Sequence, residues 1–269
     1  MKKVLMNASV ASMVYRFNMD NIDILESLGY QVDVACNFGR ENPISKEELE
    51  DFRRILKKKH IRVMNTACPR SIFAIGKMAK TYGQLKRIAD REHYDLVHTQ
   101  SPIGAVICRL AFREARKKGT KVIYTAHGFH FFDDAPIWNW LIYYPIEKFC
   151  SRFNDLLITI NKEDYNRAKK HFHTKTVEYI PGVGVDTDRF KGCSVTKTEK
   201  RKELDIPENA FVLLSIGELS ARKNHQVVIN ALGEIGDSSI YYMIAGKGEY
   251  FENYKLLAKE AGLSDHLIL

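Results

Sequence analysis

The sequence predicts an α/β protein with parallel sheets covered by helices on both faces. Short apolar runs of strand length alternate with amphipathic helical patterns almost from one end to the other. This alternation stops after Ile180 in a turn-rich segment and starts again at Phe211. Repeated strand–helix–strand units favour a parallel sheet, and the interruption favours two such units, residues 1–185 and 186–269.

Seven strand-like runs and the helical patterns between them make up the first unit. The clearest helix follows the third run, where Ile75, Met78, Tyr82 and Leu85 recur at spacings of three and four. These spacings place the apolar side chains on one face of the helix. The strands are predicted at residues 3–6, 31–35, 61–65, 95–99, 121–125, 156–160 and 177–180.

The second unit begins with a polar stretch, after which the alternation of strand and helix patterns resumes. Strands are predicted at 211–216 and 240–245, helices at 224–235 and 250–261, and a further strand opens at Leu267. The chain ends on Leu-Ile-Leu, although termini usually lie at the surface. We therefore expect a complete first domain and a partial second domain.

Composition and charge narrow the classes of function. The 269 residues are 45% hydrophobic and 28% charged, and no apolar stretch approaches the roughly 20 residues of a membrane-spanning helix. The N-terminus lacks the long apolar region of a signal peptide, so we expect a cytoplasmic protein. Five scattered cysteines without a CxxC pair argue against a disulfide framework or a zinc site.

The net charge of +8 points to an acidic partner. Phosphorylated small molecules and an acidic membrane surface are favoured over nucleic acid. No zinc finger, RGG segment or recognition-helix pattern accompanies the charge, and much of it lies in dispersed clusters typical of helix faces.

Polar residues follow two of the predicted strands in the first unit. Ser9 and Ser12 come after the first strand, and His98, Gln100 and Ser101 lie at the end of the fourth. Because an open parallel sheet binds ligands at the carboxyl ends of its strands, these residues are predicted to line a ligand cleft. The alternatives are an ordinary helix start for the serines and a structural hydrogen bond for His98.

A third polar site follows the fifth strand, at His127 and Gly128. Histidine can hydrogen-bond a sugar hydroxyl or a phosphate near neutral pH, and glycine lets a ligand approach the backbone. We predict a ligand contact for His127. Residues 137–144, which are rich in aromatic side chains, are predicted to be mainly core helix. The alternative for that segment is an amphipathic surface for a lipid-linked partner.

The second unit carries a cationic pair, Arg222 and Lys223, where a strand turns into a helix. Free backbone N–H groups and the positive end of a helix dipole gather at such a turn, which predicts an anion site, above all for a phosphate. Gly217 ends the strand before it, and Gly246 suits a tight turn after the next strand. The alternative is a solvated Arg-Lys pair in a surface loop.

Four blocks of the chain, taken in order, resemble a bacterial family-4 glycosyltransferase of the GT-B architecture. The similarity is to the branch that builds capsule and exopolysaccharide repeat units. It implies two facing Rossmann-like domains, the first holding the acceptor and the second, partial here, holding a nucleotide-sugar. It also implies retaining transfer of a hexose to a lipid-linked glycan at the inner face of the membrane. The blocks are residues 95–104, 122–132, 180–190 and 215–230.

The same resemblance implies a role for each site residue. His127 would be the catalytic residue that contacts the donor sugar or its phosphates, and Lys223 would neutralise the leaving diphosphate. No metal or cofactor is expected. Three features depart from the family: Glu218 stands where many members have arginine, the first loop lacks the paired glycines common in the family, and the glutamate pair that holds the nucleotide-sugar would lie beyond Leu269. The resemblance therefore implies that donor binding by this chain is incomplete. The remaining diphosphate contacts would be Arg222, Gly217 and Gly246, and the acceptor cleft would hold Ser9, Ser12, His98, Gln100, Ser101 and Gly128.

Two other classes of function are consistent with some of these residues. One is a nucleotide- or phosphosugar-binding module without catalysis. The other is a Rossmann oxidoreductase or epimerase, which needs a glycine fingerprint after the first strand and an acidic residue after the second. The first loop has no GxGxxG pattern, and the acidic candidate, Asp33, falls inside the predicted strand.

Overall fold

The computed structural model describes residues 1–39 and 42–269, and its backbone contacts divide into two units, Met1–Val185 and Asp186–Leu269. The strands of the first unit are β1 (Lys3–Val10), β2 (Gln31–Asn37), β3 (Arg62–Asn65), β4 (Leu96–Gln100), β5 (Lys121–Ala126), β6 (Leu156–Thr159) and β7 (Thr176–Tyr179). Its helices are α1 (Ala11–Phe17), α2 (Met19–Ser27), α3 (Lys46–Lys58), α4 (Ile75–Arg91), α5 (Pro102–Ala111), α6 (Arg113–Lys117), α7 (Ile137–Cys150) and α8 (Lys162–His171).

The seven strands form one parallel sheet in the order β3-β2-β1-β4-β5-β6-β7. Chain order reverses direction between β1 and β4, which makes this pair the topological switch point where open α/β sheets bind ligands. Leu5 and Met6 of β1 are fully buried and belong to different apolar clusters, so both faces of the sheet are covered. The predicted α/β class with parallel strands is confirmed.

The first strand extends well beyond the predicted residues 3–6, so the placement of Ser9 after it is wrong. β1 continues to Val10, because the side-chain amide of Asn7 donates to the carbonyl of Ala35 at 2.9 Å and a register shift lets Val10 pair with Asn37. Ser9 therefore lies in the strand, and Ser12 lies in the first turn of α1. Both serines are buried rather than displayed on a loop.

The fourth strand is displaced by one residue from the predicted range 95–99, and the polar cluster lies at its end as predicted. β4 runs from Leu96 to Gln100, so His98 is its central residue and Gln100 its last. Successive side chains of a strand point to opposite faces, so His98 and Gln100 share one side and Thr99 takes the other. Thr99 donates to Asn7 of β1 at 2.8 Å, which ties the two central strands together through buried side chains.

The second unit contains three parallel strands in the order β10-β9-β8. Its elements are α9 (Lys197–Glu203), β8 (Phe211–Ile216), α10 (Gln226–Ile235), β9 (Ile240–Ala245), α11 (Phe251–Glu260) and β10 (Leu267–Ile268). Its buried cluster includes Leu219, Ile229, Tyr242 and Tyr254. Among the described residues of either unit, every helix is too short or too polar to cross a membrane.

The start of α10 differs from the predicted helix at 224–235. Asn224 adopts the left-handed conformation, with φ of 51°, and follows a 3₁₀ turn at Ala221–Lys223. The helix begins only at Gln226, and neither Ser220, before the 3₁₀ turn, nor His225, before the helix, makes a side-chain capping hydrogen bond. Arg222 and Lys223 therefore belong to the 3₁₀ turn and not to the first turn of a longer helix.

Candidate functional site

The switch point of the first unit is closed by two serines that contact each other. The backbone N–H of Ser9 donates to the hydroxyl of Ser101 at 2.9 Å, and the two hydroxyl oxygens lie 2.8 Å apart. Gly104, in the first turn of α5, donates its N–H to Ser9 at 3.0 Å. A Cβ at position 104 would lie 2.8 Å from both the nitrogen and the hydroxyl of Ser9, so only glycine fits there. The serines therefore join β1 to α5.

Ser101 itself has an unusual backbone conformation. Its φ of 66° and ψ of 140° lie in a region that is sparsely populated by residues other than glycine, at a cost of about 1–3 kcal/mol. The extended ψ agrees with the proline that follows, since Pro102 disfavours a helical residue before it. A strained conformation persists when contacts with neighbouring residues maintain it. Here the hydroxyl of Ser101 accepts a hydrogen bond from the backbone N–H of Ser9.

His127 is held by a chain of side-chain amides that runs from β5 through β4 to the α1–α2 junction. Its Nε2 lies 2.6 Å from Oε1 of Gln100. The amide nitrogen of Gln100 donates to Oδ1 of Asn18, whose own nitrogen donates to the carbonyl of Met13 at 2.9 Å. Gln100 and Asn18 are almost fully buried, so this arrangement is sheltered from water.

This chain of amides fixes the protonation pattern of the His127 ring. Because the nitrogen of Asn18 is engaged by Met13, its oxygen faces Gln100, and the oxygen of Gln100 then faces His127. An amide oxygen only accepts hydrogen bonds, so Nε2 of His127 carries the proton. Burial lowers the pKa of His127, which favours the neutral ring. Its Nδ1 is then left as a hydrogen-bond acceptor.

Gly128 follows His127 with φ of 106°, a backbone conformation that favours glycine. Within the described residues no side chain lies near the place where a Cβ would stand at this position. The requirement for glycine here is therefore conformational and leaves open space beside His127. Phe17 packs on the ring of His127, with ring centroids 5.7 Å apart.

His98 has a structural environment. Its Nε2 lies 2.8 Å from the hydroxyl of Thr125 on the neighbouring strand, and the side chain is buried. Burial, with a smaller contribution from the nearby His127, lowers the pKa of His98 to about 4. The geometry thus favours the structural alternative that the sequence left open for this histidine.

The lowered pKa of His98 predicts acid sensitivity. The unfolded chain binds a proton near pH 6.5 and the folded chain only near pH 4, so unfolding takes up a proton in between. The stability from His98 is full above pH 6.5 and is lost as the pH falls towards 4. Between pH 7.5 and 5 we expect the free energy of unfolding to drop by on the order of 2 kcal/mol from this residue.

Urea unfolding at pH 7.5 and 5 measures this loss, with the His98→Gln variant as the control. Glutamine keeps a group that can bond Thr125 but does not titrate. Between these two pH values, the free energy of unfolding should fall by about 2 kcal/mol less in the variant than in the parent. Equal slopes for the two proteins would contradict the assignment to His98.

The polar residues at the switch point border a pocket of about 470 Å³. Ser9, Ser12 and Ser101 contribute to its wall, together with Arg70 and Tyr143. His98, Gln100 and His127 do not line this pocket: Gln100 lies behind the switch point and acts on His127. Some of the predicted cleft residues of this unit therefore line the pocket, and the others do not reach it.

In the second unit, the loops after β8 and β9 are joined to each other. The N–H of Gly217 donates to the carbonyl of Ala245 at 3.0 Å, and that of Leu219 donates to Lys247 at 3.0 Å, so the sheet pairing continues past the strands. A Cβ at Gly246 would lie only 1.7 Å from the carbonyl oxygen of Gly217. Glycine at position 246 is therefore required by the close approach of these two backbones.

The two cations of this loop have different surroundings. The guanidinium of Arg222 lies 3.7 Å from the carboxylate of Glu218, and both side chains are well exposed. Lys223 packs its aliphatic stem beside Gly217, about 3.6 Å from the position of a Cβ there. Within the described part of the chain no carboxylate lies within ion-pair distance of its ammonium group. Lys223 is thus the cation left available to an anion.

Three supporting residues could not be identified as such from the sequence. Asn18 aligns Gln100, Thr125 binds His98, and His225 holds the second-unit loop. His225 is buried, with Nε2 3.3 Å from the carbonyl of Glu218 and Nδ1 3.2 Å from the hydroxyl of Tyr242. The only signal available was the place of Asn18 and His225 at helix starts, which does not reveal a distant partner.

Asp33, the acidic candidate for a dinucleotide site, is already engaged. Its carboxylate lies 2.7 Å from the guanidinium of Arg62 and accepts from the hydroxyl of Tyr94 at 2.6 Å. The residue is buried inside β2 and does not lie beyond its carboxyl end. This geometry does not support the oxidoreductase or epimerase alternative.

Models of two protein families match the chain, one for each unit. The model described as Glycosyltransferase Family 4 matches residues 19–189. The model described as Glycosyl transferases group 1 matches residues 196–269. The family suggested by the sequence blocks is therefore confirmed.

Curated relatives agree with these matches. The chain is 36% identical over 270 residues to EpsD of Bacillus subtilis (strain 168), whose name describes a glycosyltransferase; this covers 99% of the chain and 67% of EpsD. It is 27% identical over 249 residues to the UDP-Gal:alpha-D-GlcNAc-diphosphoundecaprenol alpha-1,3-galactosyltransferase of Escherichia coli. That match covers 90% of the chain and 60% of the enzyme.

Among solved structures, the chain is similar to Anabaena HepE, which was crystallised in complex with UDP. The TM-score is 0.67 with 18% sequence identity, over 100% of this chain and 68% of HepE. Likeness at this identity establishes the fold alone, and the predicted GT-B class is confirmed. UDP is a ligand of HepE.

Proposed function

The chain belongs to Glycosyltransferase Family 4, and from that premise we propose that it transfers a hexose from a nucleotide-sugar to a lipid-linked glycan. The reaction would serve the synthesis of a bacterial surface polysaccharide. Support comes from the galactosyltransferase relative, whose name gives UDP-Gal and a diphosphoundecaprenol-linked sugar as its substrates. The observation that carries the proposal within this chain is the fixed tautomer of His127.

We assign His127 to the donor sugar rather than to its phosphates. A neutral ring with an unprotonated Nδ1 accepts a hydrogen bond from a sugar hydroxyl but offers no charge to a phosphate. Gln100 and Asn18 act through His127 by fixing its ring, so they are positioning residues. Binding the sugar in one orientation lowers the barrier by holding its anomeric carbon in place for the acceptor.

The leaving nucleoside diphosphate is assigned to the loop of the second unit. As the bond between the anomeric carbon and the phosphate oxygen breaks, negative charge grows on the diphosphate. Lys223 stabilises that charge because its ammonium group has no acidic partner among the described residues. Gly217 and Gly246 contribute by letting the two loops pack against each other beside Lys223, and Arg222 contributes less because Glu218 lies beside it. Stabilisation by these cations would need no metal ion.

We place the reaction at the inner face of the cell membrane, with retention of the anomeric configuration. A net charge of +8 favours contact with acidic lipid headgroups, and the acceptor is itself carried on a lipid. Ser9, Ser12 and Ser101 would face the acceptor, because they line the pocket at the switch point of the first unit.

The test is turnover of a nucleotide-sugar in the presence of a diphospholipid-linked sugar. We expect nucleoside diphosphate to be released only when the acceptor is present. The His127→Ala variant should lose most of this activity, whereas Gln100→Leu should shift its pH dependence. Equilibrium binding of nucleoside diphosphate without any turnover would support a binding module and contradict the proposal.

A further inference from the structure

An apolar groove leads away from the serine pocket of the first unit. It has a volume of about 330 Å³ and lies between α4, α5 and α7. Phe73, Ile103 and Tyr143 border both the groove and the serine pocket, so the two cavities are continuous. A ligand bound in the pocket at the switch point can therefore extend into this groove.

The groove is almost entirely apolar. Its walls come from one face of α5 and the facing side of α7, together with the start of α4. Several of the side chains are partly open to solvent: Ile142 is 39% exposed and Ile146 is 41% exposed. Contiguous exposed apolar surface of this kind marks a binding site, because its burial is worth about 25 cal/mol per Å². The lining residues include Met78, Ile103, Val106, Ile107, Ile142 and Ile146.

The groove is preformed, because a buried ion pair locks its two main helices. Arg109 of α5 lies 2.7 Å from Glu147 of α7, and both side chains are almost fully buried. The guanidinium of Arg109 also stacks on the ring of Tyr124, 4.3 Å from its centroid. The helices therefore do not collapse onto each other to hide the apolar walls.

The other end of the cavity suits an anion. Arg70 lines the serine pocket, and within residues 1–39 and 42–269 no carboxylate forms an ion pair with its guanidinium. Ser12 and Ser71 line the same pocket. A guanidinium with nearby hydroxyl donors recognises phosphate oxygens. The complete cavity is thus complementary to an amphiphile with a phosphorylated head and a long apolar tail.

We propose that this groove binds the isoprenoid tail of a polyprenyl-diphosphate-linked acceptor, with the diphosphate next to Arg70. The assignment rests on the proposed function and specifies which part of the acceptor each wall contacts. The tail would lie between α5 and α7, and the sugar would extend towards the switch point. The membrane itself is a different occupant, and the test separates the two.

The experiment measures equilibrium binding of a long polyprenyl diphosphate and of inorganic diphosphate, in detergent and without donor. It compares Ile142→Ser with Leu141→Ser. Both residues are exposed on α7, Leu141 by 60%, but only Ile142 lines the groove. We expect Ile142→Ser to weaken binding of the lipid about tenfold and Leu141→Ser to change it less than twofold, because one buried aliphatic side chain accounts for such a factor. Inorganic diphosphate should bind both variants like the parent.

Two results would overturn the proposal, and a further measurement checks that the variant is folded. Equal lipid affinity in the Ile142→Ser variant and the parent would exclude the groove. An equal loss in the Leu141→Ser variant would assign the whole face of α7 to a membrane surface. Loss of inorganic diphosphate binding in Ile142→Ser would indicate structural damage, which urea unfolding of the same variant detects. These measurements use no turnover, so a failure of the transferase reaction itself is seen separately.

Discussion

Replacing Lys223 with alanine is expected to lower kcat/KM for the nucleotide-sugar by about 10²–10³-fold, the usual effect of removing one preorganised charge-stabilising group. Its ammonium group has no acidic partner among the described residues, and its stem is braced beside Gly217. The charge is therefore in place before the diphosphate leaves. Because the interaction strengthens as that charge grows, kcat should fall more than KM rises.

Two variants serve as comparisons for Lys223→Ala. Arg222→Ala should reduce kcat/KM by about tenfold or less, since its guanidinium is already 3.7 Å from Glu218. Lys255→Ala removes a charge from α11, where the lysine pairs with Glu252, and should have little effect. A larger loss for Arg222 than for Lys223 would reverse the roles we assign to the two cations.

The Arg109→Met variant is expected to lose about 3–5 kcal/mol of folding stability, because it leaves the carboxylate of Glu147 buried without its cation. Arg109 is only 1% exposed and lies 2.7 Å from Glu147. The remaining contact of that carboxylate, with the hydroxyl of Tyr124 at 3.3 Å, cannot replace a guanidinium. Urea unfolding of the parent and the variant at pH 7.5 measures the loss.

The matched control is an exposed ion pair in the same unit. Lys117 lies 3.1 Å from Glu114 on α6, and Lys117→Met should change stability by less than about 1 kcal/mol. The double variant Arg109→Met/Glu147→Leu should recover much of the loss, since no buried charge then remains. A loss below 1 kcal/mol for Arg109→Met alone would show that Glu147 finds another partner.

The alternation of apolar runs was enough to predict the order of strands and helices. A buried strand gives a short continuous apolar run, whereas the buried face of a helix gives apolar residues at spacings of three and four. The ends of the strands were harder. β1 extends through Asn7 and Ser9, which are polar, because the hydrogen bonds of these residues are satisfied by Ala35, Thr99 and Ser101. A polar residue inside a strand is recognisable only when its partner on another strand is known.

The candidate site meets the same limit, because a single sequence does not show which distant residues are in contact. His127 and Lys223 could be selected because each follows a strand and carries a suitable charge or ring. The two interpretations of His98 could not be separated, and the role of Gln100 could not be seen, because each side chain contacts a residue 27 positions away, Thr125 and His127 respectively. Asn18, which contacts Gln100 across 82 residues, had no local pattern to mark it.

The close packing of Gly217 against Gly246 has a mechanical consequence. The two loops are joined at several points along their backbones, so neither can swing without carrying the other. If an anion that binds at Lys223 displaces its loop, residues 246–249 would therefore move with it. The two loops would move together as one rigid segment. Movement of either loop therefore requires movement of both, which is expected to be slower than that of a free loop.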